Sequence, residues 1–159
     1  MDKFRVWKHL DWKERWACLE AVGWLGIARF SLLIFPFRWV LRLFGIRQDV
    51  AQTEVDGAPA DVGQDAVIVK RALRRVSRNV PWDCKCLAQA LAGKAMLSRR
   101  GLPATLFIGV TRDDQREFRA HAWLKSGSAF ISGGEGHEAY TVMSGFSAVK
   151  KAGVFKPPT

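Results

Sequence analysis

The spacing of apolar and polar residues changes character several times along the chain. From the start to about Gly45 it reads as helical: charged residues mix with aromatics up to Glu20, and an apolar run follows from Ala21 to Phe37. That run is about 17 residues long, near the short limit for crossing a bilayer, and contains Arg29 and Pro36, so a membrane-spanning helix is not expected. A helical hairpin broken near Pro36 and packed on the rest of the domain is expected instead. Docking on a membrane surface and a groove-forming partner surface stay open, because Arg29, Arg38, Arg42 and Arg47 add positive charge to the same stretch. Residues 47–64 turn polar and small around Gly57, Pro59 and Gly63, marking a linker or loop.

From Ala66 to Val76, apolar residues recur at Val69, Ala72, Leu73 and Val76 with Lys70, Arg71, Arg74 and Arg75 on the other face, an amphipathic helix. Pro81 then holds Val80 extended, and Asp83 is a candidate N-cap. A second helix is expected over Leu87–Arg100, opening at Cys86 and closed by Gly101. Ala104–Val110 reads as a buried strand and Thr111–Arg116 as a turn. The next strand alternates, Phe118, Ala120, Ala122 and Leu124 on one face and Arg119, His121, Trp123 and Lys125 on the other, antiparallel to the first. Ala129–Ile131 makes a short third strand, Tyr140–Met143 is a candidate fourth, and the basic tail from Gly145 is expected to fray. The implied fold class is α+β: an apolar helical region at 1–46, a linker at 47–64, a core at 65–145 and a tail at 146–159.

With 159 residues, 48% of them hydrophobic and seven of them Trp, the chain fits one domain with a substantial core. The balance of 25 Lys+Arg against 15 Asp+Glu favours an anionic partner, an acidic peptide or a membrane surface. The basic residues are scattered, and no compact run interleaves with aromatics, so nucleic acid is not an expected partner. Three cysteines, an odd number, and no secretory leader at the start fit a reducing cytoplasm, with membrane association open. Cys84 and Cys86 lack a second ligand pair at zinc spacing, and neither a metal nor a cofactor is expected.

A thiol can instead be present for its reactivity. Cys86 falls at a helix start, where unpaired N–H groups and the positive end of the helix dipole favour the nucleophilic thiolate. His121, held mid-strand, is a candidate base. Against this, a free Cys is often a small buried hydrophobe and a strand His is often structural, so the pairing carries more weight than either residue. Cys84 is the reserve nucleophile. Trp82 and Trp123 fit a substrate groove or the core, and the backbone N–H of Cys86 is a better oxyanion donor than Gln89.

Cys86-Leu87-Ala88-Gln89-Ala90-Leu91-Ala92, Arg99 through Val110 and Ala120-His121-Ala122-Trp123-Leu124 together resemble the core of the transglutaminase-like proteins of lasso-peptide biosynthesis. The resemblance covers roughly Val67 to Met143, and the apolar helical N-terminus is similar to that of the stand-alone leader-peptidase component. It implies a papain-like or transglutaminase-like core, with the nucleophile helix on a small antiparallel sheet, and a cysteine peptidase that removes the leader from a lasso precursor peptide. The implied partners are a separate leader-binding protein and an ATP-dependent macrolactam synthetase. The implied site is Cys86, His121 and an acid about a dozen positions further on, where this sequence has Gly133. Glu135 is the nearest substitute, Ser132 and His137 are open, and a backbone carbonyl or an amide can also orient an imidazole. The missing acid lends weight to a different class of function, a non-catalytic scaffold docking on membrane or synthetase through the N-terminal helices. A transamidase of the same fold is a further alternative.

Overall fold

In the computed structural model, residues 10–46, 63–112 and 117–147 are described. Most of the expected linker, the tip of the expected turn after β1 and most of the basic tail lie outside them.

Asp11 opens the first helix, α1 (Trp12–Ile34), its side chain accepting from the Trp12 N–H at 2.8 Å. Pro36, which cannot continue a helix, separates α1 from the short α2 (Phe37–Leu43), the break the sequence predicts. The inner face of α1 carries small residues, Ala17, Cys18, Ala21 and Ala28 with Leu25, all buried, which lets it lie close against two further helices. These are α3 (Gln64–Ser77) and α4 (Cys86–Arg99). On α3 the buried positions are Ala66, Val69, Ala72, Leu73 and Val76, matching the expected apolar face. Three ion pairs clasp α1 from outside the core: Glu14 to Arg71 at 3.3 Å, and Glu20 to Arg100 at 2.7 Å and to Arg99 at 3.5 Å.

The second layer, α3 and α4, packs on a four-stranded antiparallel sheet of order β3-β2-β1-β4, built from β1 (Thr105–Arg112), β2 (Phe118–Ser126), β3 (Ala129–Ser132) and β4 (Thr141–Ser147). Leu106, Ala122, Leu124 and Ile131 turn into the same hydrophobic core as α1, α3 and α4, so the N-terminal helix is the outer layer of one core and not an appendage to it. Gly93 lets α4 pack closely on both α3 and the sheet, since a Cβ there would stand 2.8 Å from the side chains of both Leu73 and Leu124.

The fold class is the α+β arrangement expected, with three local differences. Lys85, not Asp83, is the residue before α4, and it makes no side-chain cap; Asp83 lies two residues too early to reach the first-turn N–H groups and faces Lys85 at 3.9 Å. The fourth strand starts at Thr141 and runs through Gly145 to Ser147, because ladder bonds to β1 hold residues that the sequence assigns to a frayed tail. β1 continues to Arg112, two residues into the expected turn. Lys94, on α4, is fully buried among alanines and leucines, its ammonium bonded to the Ala104 carbonyl; burial pushes its pKa down to about 8.

Candidate active site

The segment before α4 is tied at both ends. Asn79 donates its side-chain amide to the Arg75 carbonyl at 2.6 Å, closing α3, and Gln89 reaches back from α4 to the Cys84 carbonyl at 2.8 Å. Gln89 therefore positions the loop that delivers Cys86, and its amide is already committed to that bond. Because no side chain caps α4, its first-turn N–H groups stay available to a ligand beside the half-buried Cys86.

Cys86 and His121 line one cavity of about 540 Å³, together with Gln89, Phe130, Ser132 and the Gly133–Glu135 turn. They reach it from different elements. On β2, Ala122 and Leu124 face the helices, while His121 and Trp123 share the opposite side, where their rings stack at 6.0 Å. β3 pairs with β2 only along Leu124–Ser126, so beyond its end at Ser132 the β2 edge at His121 is left to the glycine turn. The space between that turn and the start of α4 connects the two groups. No hydrogen bond joins Cys86 to His121 among the described residues; bonds of this kind are commonly long in an empty site and tighten around substrate.

What holds the imidazole is backbone. His121 Nε2 lies 2.8 Å from the Gly133 carbonyl. A carbonyl only accepts, so Nε2 is the donor, and in the neutral ring this leaves the lone pair on Nδ1. The ring also packs against Tyr140, with centroids 5.1 Å apart. Gly109, across the ladder from His121, makes room for this arrangement: a Cβ there would meet the Trp123 ring at 2.8 Å and the Tyr140 Cβ at 2.9 Å. Gly133 adopts φ 66°, and a Cβ on it would collide with the Ala122 carbonyl.

Of the other expected site residues, Glu135 lies on the cavity wall but is exposed, and the orienting bond expected of it is made by the Gly133 carbonyl. His137 binds the Gly134 carbonyl through Nδ1 at 2.7 Å and packs on Phe130, so it braces the turn. Ser132 is buried in the cavity wall, and its hydroxyl has no partner among the described residues. Cys84 is packed against the core away from this cavity. Burial, then the Asp83 carboxylate, pushes its thiol above the ordinary value, against smaller opposing effects of Trp82 and Arg29. Neither Trp82 nor Trp123 lines the cavity; Trp123 is buried against Phe107. The opposite wall holds Lys70 and Arg74 of α3 and Arg78 at its C-cap; the sequence places Lys70 and Arg74 on the polar face of an amphipathic helix without a role in the site, and the spacing of four that extends to Arg78 is the signal that this side is cationic.

No curated protein and no solved structure shows a significant match to the chain. The family model of the transglutaminase-like superfamily, generally cysteine-dependent enzymes that include peptidases and transamidases, matches residues 31–145, most of the sequence, and the chain belongs to that superfamily.

Proposed function

We propose that the protein is a cysteine peptidase that removes the leader from a ribosomally made lasso-peptide precursor. The observation that carries this reading is the shared cavity: a Cys at an uncapped helix N-terminus and an imidazole whose tautomer is set by a backbone carbonyl face the same space. The lasso-specific part rests on the sequence motifs around Cys86, Arg99–Val110 and His121, and the leader-binding protein and the synthetase enter as partners on the same ground.

In this mechanism His121 Nδ1 takes the Cys86 proton and the thiolate attacks the scissile carbonyl carbon. The oxyanion forms against the first-turn N–H groups of α4. As the imidazole becomes cationic its Nε2–H stays bonded to the Gly133 carbonyl, which stabilises the charge. The imidazolium then protonates the departing amine, releasing the core peptide and leaving the leader as a thioester on Cys86. Water, deprotonated by His121, attacks the thioester; the leader leaves as a carboxylate and the thiol is regenerated.

The test is mass spectrometry of a lasso precursor incubated with this chain and its leader-binding protein. Wild type is expected to release free leader, Cys86→Ala none, and His121→Ala roughly 10²- to 10⁴-fold less. Processing by folded Cys86→Ala would show the nucleophile to be wrong; absence of cleavage by wild type, with Cys86 still alkylated unusually fast, would leave the thiol chemistry and remove the substrate.

A further inference from the structure

With 3.6 residues per turn, the residues of α1 fall into two apolar faces. One is consumed by the core. The other, an arc of roughly 120° on that periodicity, carries Trp16, Leu19, Ile27, Phe30, Leu33 and Ile34, every one of them exposed, Phe30 at 64%. Gly23 and Gly26 lie on the same arc with open space around them. The surface continues onto α2 through Phe37, Trp39 and Leu43, which are exposed as well. Monomeric soluble proteins rarely show a contiguous apolar face of this extent.

The charges around it are one-sided. Between Trp12 and Leu43 the acidic residues are Glu14 and Glu20, and both turn inward to arginines of α3 and α4. The exposed bases Lys13, Arg38 and Arg42 stand at the two ends of the apolar arc. Exposed Asp11 and Asp65 stand only at its N-terminal end, beside Trp12 and Lys13; from Trp16 onward α1 and α2 carry no outward carboxylate, and an apolar face bordered by cations is complementary to acyl chains beneath anionic headgroups.

We propose that this face docks on an anionic bilayer surface, with α1 lying in the membrane plane. The helix is long enough to cross at 23 residues, and its most apolar 18-residue window has a mean hydropathy of 1.6. Crossing is opposed by its inner face: the core contacts and the Glu14–Arg71 and Glu20–Arg100 pairs would draw Arg71, Arg75 and Arg100 into the hydrocarbon with it. Lying flat satisfies both faces of α1 at once. The layer order then sets the sheet furthest from the lipid, and the Cys86–His121 cavity, on the seam between α3, α4 and the sheet, opens above the surface. The docking stands independently of the catalytic reading.

The test uses the full chain and vesicles of phosphatidylcholine alone or with phosphatidylglycerol. Wild type is expected to float with the mixed vesicles, to partition at least about tenfold less into pure phosphatidylcholine, and to be released by alkaline carbonate. Brominated acyl chains are expected to quench its Trp fluorescence. Phe30→Glu with Leu33→Glu, outward substitutions expected to leave the thermal melt unchanged, should abolish flotation; Arg38→Glu with Arg42→Glu should erase the preference for anionic lipid. Failure of wild type to float or to be quenched overturns the proposal. So does carbonate-resistant insertion, which would mean a span, or a concentration-dependent dimer lost in Phe30→Glu with no vesicle binding, which would make the face a self-interface. Should the double variant misfold, quenching of wild type decides alone.

Discussion

Gly133 occupies the place where the resemblance implies an acid, and its backbone explains how the site manages without one. At φ 66°, with the Ala122 carbonyl where a Cβ would go, this position excludes any side chain, and its own carbonyl reaches His121 Nε2 at 2.8 Å. Gly133→Asp is therefore expected to lose activity and to cost about 1–3 kcal/mol in backbone strain alone, read as a lower denaturant midpoint. Were Glu135 the orienting acid, its removal would be expected to cost on the order of 10⁴ in kcat, as where a carboxylate fixes the tautomer. With the carbonyl in that role, Glu135→Gln keeps kcat within roughly tenfold. A loss approaching that of His121→Ala would return the role to Glu135. The sequence shows that the acid is missing and leaves a backbone carbonyl open in its place, but a backbone acceptor has no residue letter, so which carbonyl takes the role is not readable there.

At the scale of elements, α3 has two functions on two faces: Val69, Leu73 and Val76 join the core, while Lys70 and Arg74, with Arg78 at the C-cap, form a cavity wall with no carboxylate partner among the described residues. Cations held beside a nucleophile without internal partners attract an acidic peptide segment. Lys70→Glu with Arg74→Glu is expected to raise KM for an acidic precursor roughly tenfold or more, to leave kcat nearly unchanged, and to spare a neutral one. An equal effect on both peptides would rule out charge recognition. The helix core of α3, the Cys86 opening of α4 and the alternation of β2 were legible because each imposes its own period on neighbouring residues. Thr141–Ser147 shows no such period, and its place beside β1 comes from a long-range ladder. For α1 the difficulty was different: apolar on both faces, it has no moment to say which side meets the core.

Across the whole molecule the three layers share one core, and Lys94 lies inside it on the helix that also carries Cys86. Removing an ammonium from water with only the Ala104 carbonyl as partner disfavours its charged form, so the folded pKa is about 8 against an ordinary 10.5. Between those values the unfolded chain binds more protons than the folded one, so this group makes stability rise with pH; the contribution is complete above the ordinary value and lost as pH falls through the folded one. The difference of about 2.5 units corresponds to about 3 kcal/mol. Lys94→Met removes the titration but leaves the Ala104 carbonyl without a donor, so its stability at any one pH mixes two effects. The change in the difference between wild type and Lys94→Met isolates the proton linkage, because the other titrating groups cancel. Denaturant midpoints from pH 7.5 to 10.5 are expected to show wild type gaining on the variant by up to about 3 kcal/mol. A difference that does not move with pH would mean that water reaches the amine, and that the core seam between α4 and the start of β1 is open in solution.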